Sequence, residues 1–446
     1  MSDSSIKVVT LGCRANQAES DAFALRMLDQ GYRAAQPNEA AAVVLVNTCV
    51  VTGMAERQSR QMIRRLGREN PEALIAVTGC GAELNKDRWA ALPGVDVLVT
   101  NKDKPAFLKD PFRFLYGEAH DPGLYQDTSA FYDLPSALNI RANLMVQDGC
   151  KEMCSYCIIP YVRPNRVSTA PAEVLAMAQN LLSRGVKELI VTGINLGSYA
   201  YGLGDLMQVL NVLPGLVRLR LSSLEPKSLN PDTIRALAHC DKLCPHFHLC
   251  LQSGSDAVLL GMDRGYDTAF FEETIKTFRQ AFERVGRPAS FSTDLIVGFP
   301  GETDAQFQDS LAYCERMGFN KLHVFPYSVR SRTRAARFKN RVPGAVIRTR
   351  VAQALELSRQ LAYRYSSNLI GGKLTILVDE IKEHRQQTPH SAFHIPRSAL
   401  LIHGFTPNYL KVELPLSASH NIRVGDLLPL SIQSLSSDGM LQGVLA

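Results

Sequence analysis

Along the first hundred residues, short apolar runs alternate with longer amphipathic stretches. Residues 6–11, Ile-Lys-Val-Val-Thr-Leu, end at Gly12-Cys13 and predict a buried strand. Residues 15–32 place apolar positions on one helical face and are closed by Gly31. The pattern repeats with a strand at 42–46, a helix at 55–69 stopped by Asn70-Pro71, and a strand at 73–77. Each strand runs into a cysteine: Cys13, Cys49 and Cys80. Alternating strands and helices imply a parallel sheet covered by helices, and ligands bind such sheets beyond the carboxyl ends of the strands. Three cysteines far apart in sequence are thereby predicted to meet.

A polar and aromatic connection follows, marked by Pro111, Pro122 and Pro135. From residue 139 a second alternation begins. Strands are predicted at 143–147, 188–192, 217–222, 247–251, 292–297 and 322–325, with helices at 171–183, 205–213, 231–238, 268–285 and 303–317. Six strand-helix units predict a partial (β/α) barrel or an open parallel sheet. After a helix at 346–368, stopped by Gly371-Gly372, the period changes. Short strands at 373–378, 399–402, 410–414, 427–432 and 440–444, separated by Gly, Pro or Asn, predict a small all-β barrel. Such barrels often bind single-stranded RNA, although they host other functions. The fold class is α/β. An N-terminal parallel domain (1–110) is joined by a linker (111–138) to a central barrel-like core (139–368), and an all-β barrel follows (369–446).

Composition adds limits. The 446 residues suit roughly three domains, and 46% hydrophobic with 21% charged residues is ordinary for a globular protein. No basic-then-apolar leader is read at the start, and no apolar run reaches the ~18 residues of a membrane span. Ten cysteines in so long a chain are no secreted disulfide framework; reduced, metal-binding thiols in the cytoplasm fit better. The net charge of +6 is modest, but residues 321–350 hold nine Lys and Arg and no acidic residue. Within this stretch Arg330, Arg332, Arg334, Arg337, Lys339 and Arg341 are read either as phosphate contacts or as a solvated surface.

The densest chemistry lies in Asp148-Gly149-Cys150-Lys151-Glu152-Met153-Cys154-Ser155-Tyr156-Cys157. The spacing C-x3-C-x2-C follows a predicted strand and suits a loop wrapped round a metal centre. Cubane iron-sulfur clusters take four thiolates, so three leave one iron open. Ordinary loop cysteines or part of a zinc site are the alternatives, but no fourth ligand follows at zinc-finger spacing. Cys13, Cys49 and Cys80 predict a second three-ligand cluster, against buried hydrophobes, a zinc site or a redox trio. Polar, Gly-rich stretches at successive strand ends, containing Gly193 and Asn195, Ser223 and Glu225, Gln252 and Ser253, and Gly298, are candidate cofactor contacts. Cys240, Cys244, His246 and His248 are read as structural, and Cys250 and Cys314 as core residues.

The central motif, with Tyr156 in the aromatic slot before its last cysteine, resembles that of radical S-adenosylmethionine enzymes. The whole chain resembles the methylthiotransferases, and most of all those acting on threonylcarbamoyladenosine in tRNA. The matching stretches are Thr10-Leu11-Gly12-Cys13-Arg14-Ala15-Asn16-Gln17, Val46-Asn47-Thr48-Cys49-Val50-Val51-Thr52 and Ser59-Arg60-Gln61-Met62-Ile63-Arg64-Arg65. Further on they are Gln147-Asp148-Gly149-Cys150, Cys157-Ile158-Ile159-Pro160-Tyr161, Leu219-Arg220-Leu221-Ser222-Ser223-Leu224-Glu225-Pro226 and Val324-Phe325-Pro326-Tyr327-Ser328.

This resemblance implies a radical [4Fe-4S] cluster on Cys150, Cys154 and Cys157, an auxiliary sulfur-bearing [4Fe-4S] cluster on Cys13, Cys49 and Cys80, and a C-terminal RNA-binding TRAM barrel. It implies S-adenosyl-L-methionine as methyl and radical source, with Tyr156 and Phe325 among its contacts. The product would be tRNA methylthiolated at carbon 2 of the hypermodified adenosine beside the anticodon. An electron donor such as flavodoxin or ferredoxin and a sulfur source are implied as partners, with the chain a cytoplasmic monomer. Pro164, Arg166, Gly81 and Glu83 depart from the family wording. The rival substrates are isopentenyladenosine in tRNA and an aspartate of a ribosomal protein. A non-catalytic RNA-binding iron-sulfur protein is the rival from another class.

Overall fold

The structure, a computed structural model, describes residues 5–117, 140–383, 399–417, 421–436 and 439–446. Pro122 and Pro135 of the expected linker lie outside them. The elements begin with β1 (Ser5–Thr10), α1 (Arg14–Asp29), β2 (Arg33–Ala34), β3 (Val43–Thr48), α2 (Gly53–Glu69), β4 (Leu74–Gly79), α3 (Cys80–Leu84), α4 (Lys86–Ala90), β5 (Val97–Leu98), α5 (Lys104–Lys109) and α6 (Pro111–Tyr116). The middle of the chain holds β6 (Arg141–Asp148), α7 (Ile159–Val162), β7 (Val167–Ser168), α8 (Pro171–Ser183), β8 (Glu188–Gly193), α9 (Leu203–Asn211), β9 (Arg218–Leu221), α10 (Pro231–Ala238) and β10 (His246–His248). Then come α11 (Asp256–Gly261), α12 (Thr268–Glu283), β11 (Ser290–Val297), α13 (Asp304–Met317), β12 (Lys321–Pro326) and α14 (Gly344–Ser367). The last five strands are β13 (Lys373–Glu383), β14 (Ala399–Phe405), β15 (Lys411–Ser417), β16 (Leu427–Leu435) and β17 (Leu441–Leu445).

Two compact units divide the chain. One comprises residues 1–177, 190–199 and 328–338; the other comprises 178–189, 200–327 and 339–446. In the first, five parallel strands lie in the order β2-β1-β3-β4-β5. The continuous apolar run of β3 is buried at every residue, as a strand covered on both faces requires. Helix α2 starts where the Thr52 hydroxyl accepts from Ala55 N–H, one of the donors a helix start leaves without a partner. Its Ile63 and Leu66 pack on Val44, Val46, Ile75 and Val77, and Ile158 and Val162 join the same core. The helix that follows the cysteine loop, α7, therefore shares its core with the N-terminal sheet.

The linker expected from residue 111 is corrected at its start. Residues 111–116 form α6, with Pro111 in the first turn, where a missing N–H costs nothing. Phe112 and Leu115 are buried with Phe23 and Phe107, so aromatic positions in a Pro-marked stretch were core positions.

In the second unit β10, β11 and β12 pair in parallel. Single bridges, Leu219 to Leu243 and Leu224 to Leu249, carry the parallel order from β9 toward β10. Helix α13 opens on a reciprocal pair between Thr303 and Gln306 and ends at Gly318 in the left-handed region. Strands β13 to β17 close into a barrel in the order β13-β14-β15-β17-β16, around Ile376, Val378, Ile402, Val412, Leu414, Leu430, Ile432 and Leu441. The closed five-stranded barrel expected at the C-terminus is present. Among the described residues no helix is long and apolar enough to cross a membrane.

Arginines from β9 hold this barrel to the core of the same unit. Arg218 donates to the carbonyls of Phe405 (2.6 Å) and Thr375 (2.7 Å). Arg220 lies 3.1 Å from Glu188, donates to Pro407 O at 3.0 Å, and stacks its guanidinium 4.4 Å from the Tyr409 ring. Glu188 is fully buried and Arg220 is 2% exposed. Breaking a buried pair leaves an uncompensated charge, at roughly 3–5 kcal/mol. We predict that R220M lowers stability by that amount and that R220M/E188Q recovers most of it. Equal loss in both variants, measured by chemical denaturation, would refute the assignment.

Asp21 on α1 carries a second stability prediction. It is buried, accepts from Gln17 at 2.7 Å, and its Oδ2 has no partner among the described residues. Burial pushes its carboxyl up to about 6, against the opposing hydrogen bonds from Gln17 and Asn143. The unfolded chain ionises Asp21 near its ordinary 3.8, so stability falls as pH rises between these values and stays lowered above them. D21N should remove that slope and gain up to about 3 kcal/mol at pH 7.5, at roughly 1.4 kcal/mol per unit. Denaturation curves at pH 4.5 and 7.5 that shift in parallel for parent and variant would overturn this.

Candidate functional site: two cysteine trios

The first trio forms at the carboxyl ends of β1, β3 and β4. Gly12, at φ 100°, lets the β1 turn approach β3: a Cβ there would lie 2.8 Å from the Cys49 sulfur. Asn16, in the first turn of α1, donates to the carbonyls of Leu11 (2.8 Å) and Thr48 (3.0 Å), tying both strand ends together. The Cys13 Sγ lies 3.8 Å from the Asn16 Oδ1. Cys49 N–H donates to the Ser59 hydroxyl at 3.2 Å. Thr48 Oγ1 bonds the Thr78 carbonyl at 2.6 Å and accepts from Gly81 N–H at 3.2 Å, aligning the start of α3 and with it Cys80.

Cys49 and Cys80 are buried, while Cys13 is exposed. Burial pushes the Cys49 thiol up to about 12, and the neighbouring sulfurs of Cys80 and Cys13 add to that rise. The three sulfurs are thus close enough to repel one another as thiolates. A bound cation offsets both the burial and the repulsion, and soft thiolates suit iron-sulfur chemistry.

Around the trio lies a charged shell that the sequence reading did not single out. Arg163, its side chain 1% exposed, donates its Nε–H to the Cys80 Sγ (3.5 Å) and meets Asn16 (3.0 Å), Glu19 (2.8 Å) and Asp148 (2.7 Å). Lys104 lies 2.6 Å from the same Glu19. Burial opposes ionisation of Glu19, yet Lys104 and Arg163 together hold its carboxyl below the ordinary value.

The second trio sits on the loop after β6. At Gly149 a Cβ would lie 1.9 Å from the Asn165 carbonyl, at φ 75°; no other residue fits this turn. The loop is held by Cys150 N–H to Arg163 O (3.0 Å), Cys154 N–H to Glu152 O (2.6 Å) and Cys157 N–H to Cys154 O (3.1 Å). Glu152 N–H donates to the Cys150 Sγ at 3.4 Å, the kind of bond that supports a metal-held thiolate. Cys154 is buried, and Cys150, Cys157 and Tyr156 are half-buried.

Gln147 fixes the strand ends beside this loop. Its Nε2 donates to Asp148 O and Gly149 O, both at 2.7 Å, and its Oε1 accepts from Asn195 N–H at 2.7 Å. Gly193 packs against Gln147. The predicted residues Gly193 and Asn195 thus lie next to the loop that bears the second trio. Three of the basic residues read as phosphate contacts are otherwise engaged in this unit. Arg330 pairs with Glu56 (2.6 Å), Arg332 donates to Leu84 O (3.0 Å) and Arg334 to Met153 O (2.7 Å). Arg337, Lys339 and Arg341 are exposed.

The remaining candidates lie in the second unit. Ser223 and Phe325 are exposed. Glu225 is 2.6 Å from Arg264. Ser253 shares a hydrogen bond with Ser310 (3.1 Å), and Gly298 N–H donates to Glu302 (2.8 Å). Gln252, at φ 76°, donates its backbone N–H to the Asp294 carbonyl at 3.0 Å.

Cys250, expected in the core, is instead half-buried, and its sulfur lies within 4.8 Å of ligand atoms of His248 and Asp294. The His248 ring meets Asp294 (3.2 Å) and Ser292 (3.1 Å). Cys240, Cys244 and Cys314 are buried, and His246 lies 5.5 Å from the Tyr409 ring.

The departures from the family wording are local. A side chain at Gly81 would meet Trp89, 2.6 Å away, so the indole fills that space. Glu83 accepts from Asn101 N–H at 3.0 Å, and Pro164 and Arg166 are exposed.

Residues 5–100 match the Uncharacterized protein family UPF0004, and residues 144–314 match the Radical SAM superfamily. The chain is 33% identical over 440 residues to the Threonylcarbamoyladenosine tRNA methylthiotransferase MtaB of Chlamydia pneumoniae, covering 98% of this chain and 97% of that one. It is 35% identical over 421 residues to the MtaB of Bacillus subtilis (strain 168), covering 90% and 88%. Among solved structures, the radical S-adenosylmethionine methyltransferase TsrM from Kitasatospora setae superposes with a TM-score of 0.53 at 14% identity, over 72% of each chain. That last likeness is one of fold. With both trios placed and full-length relatives of this similarity, the chain belongs to the radical S-adenosylmethionine methylthiotransferase family, of the MtaB type.

Proposed function

We propose that this chain is a tRNA methylthiotransferase that attaches a methylthio group to carbon 2 of threonylcarbamoyladenosine at position 37. The observation that carries this reading is the pair of cysteine trios in one compact unit of a chain collinear with its MtaB relatives. Cys150, Cys154 and Cys157 would hold the radical [4Fe-4S] cluster, and Cys13, Cys49 and Cys80 the auxiliary one. When bound, these groups and S-adenosyl-L-methionine supply the radical, the methyl and the sulfur that an unactivated aromatic C–H position requires.

The residues do the placing. Gln147, through Asn195 and the Gly149 carbonyl, sets the loop against the end of β8. We assign Tyr156, Gly193 and Asn195 to S-adenosyl-L-methionine, and Ser223, Glu225, Gln252, Ser253, Gly298 and Phe325 remain candidates for the same cofactor. The Ser253 hydroxyl bonds that of Ser310, and one Glu225 carboxylate oxygen pairs with Arg264. The C-terminal barrel is read as a TRAM-type RNA-binding module, and the exposed Arg337, Lys339 and Arg341 are read as phosphate contacts. The base must leave its stack to be reached, which single-stranded loop RNA permits.

The organisation proposed is an N-terminal domain to Tyr116, a connection to 138, a radical core to 368 and the barrel beyond. A flavodoxin or ferredoxin as electron donor, a separate sulfur source and a monomeric state complete the proposal. A tRNA substrate and thiolate ligands both suit the reducing cytoplasm.

Mass spectrometry of tRNA nucleosides from a strain lacking this chain tests the reading. The methylthio form of threonylcarbamoyladenosine should be absent and return when the chain is restored. Loss of methylthiolated isopentenyladenosine instead would transfer the assignment to that substrate.

A further inference from the structure

Arg163 touches both cysteine trios. Its side chain reaches the auxiliary site, with Nε 3.5 Å from the Cys80 Sγ and a terminal nitrogen 3.0 Å from Asn16, which borders Cys13. Its backbone carbonyl accepts from Cys150 N–H at 3.0 Å. Its second terminal nitrogen holds Asp148 at 2.7 Å, and Asp148 in turn accepts from Gly149 N–H at 2.7 Å, just before the radical loop. An arginine keeps its charge and offers its donors in a fixed plane. Here one edge of that plane faces a sulfur and the other a carboxylate that shapes the loop.

We propose that Arg163 is a positioning residue that fastens the Cys80 sulfur to the Cys150 loop and raises the reduction potential of the cluster held by Cys13, Cys49 and Cys80. This rests on the cluster assignment proposed above. Hydrogen bonds to ligand sulfurs and net local charge are two of the terms that set such potentials. Arg163 supplies both, since Glu19 and Asp148 are balanced by Lys104 and Arg163 before any thiolate forms. A plain structural arginine would leave the potential unmoved when replaced by another cation or by a neutral residue of similar length.

The test uses the full-length chain, anaerobically reconstituted, in a C150A/C154A/C157A background so that the auxiliary site alone titrates. Potentiometric titration followed by electron paramagnetic resonance reads the midpoint. R163M should move the midpoint down, R163K should stay near the Arg163 protein, and E19Q, which removes an anion from the same network, should move it up. Should R163M, which leaves Glu19 and Asp148 short of a partner, unfold the site, the upward shift expected of E19Q decides the matter.

Midpoints that coincide across the folded variants would overturn the inference. So would an R163K shift as large as that of R163M. A parent chain that fails to bind two clusters would instead sink the cluster assignment, which total iron reports separately.

Discussion

Full-length protein with Cys150, Cys154 and Cys157 all changed to alanine should bind half the iron of the parent, falling from about eight atoms per chain to about four. It should also lose reductive cleavage of S-adenosyl-L-methionine. The two trios are built by different segments: one by a single loop closed on Gly149 and Arg163 O, the other by three strand ends. Removing the first leaves Asn16, Thr48 and Ser59 to hold the second. The loss of cleavage should exceed the roughly 100-fold cost of losing an outer-shell partner, because the ligands themselves are gone. Anaerobic reconstitution, iron determination and chromatographic detection of deoxyadenosine suffice as measurements. Full iron retention in the triple variant would show that Cys150, Cys154 and Cys157 hold no cluster.

The converse variant, Cys49→Ala, should separate radical formation from sulfur transfer. Cys49 is buried between the Gly12 turn and the first turns of α2, so its loss empties the middle of the auxiliary trio. The backbone ties through Asn16 and Thr48 remain. The Cys150 loop is untouched, and deoxyadenosine release should stay close to parental. Methylthio transfer to tRNA carrying threonylcarbamoyladenosine should fall to background, a loss of more than about 100-fold. A parental melting transition and retention of about half the iron must accompany this result. Transfer at the parental rate in that folded variant would make Cys13, Cys49 and Cys80 a structural set.

Some of this was written in the chain itself. Continuous apolar runs ending in Gly-Cys or Thr-Cys predict strands with a thiol at the carboxyl end, and β1 and β3 carry theirs there, one or more residues beyond Thr10 and Thr48. The C-x3-C-x2-C spacing is local, so its loop needs no knowledge of the fold. The five short segments after residue 372, separated by Gly, Pro or Asn, were enough to suggest a small barrel.

Other features were settled only when distant segments met. Arg163 is a charged residue in a loop, ordinarily a surface position; Glu19, Asn16 and Cys80 bury it. Arg218 and Arg220 alternate with leucines in β9, a pattern that reads as a solvent face, yet carbonyls of the C-terminal barrel cover them. Phe112 and Leu115 looked like linker residues because Pro111 suggested a break, whereas a proline in the first turn begins a helix as well as it ends one. Cys250 was read as a core residue, whereas its sulfur lies half-buried beside His248 and Asp294. Local periodicity determines which element forms and which residues share its face. What covers that face, and so whether a charge on it is solvated or buried against a sulfur, belongs to the tertiary structure alone.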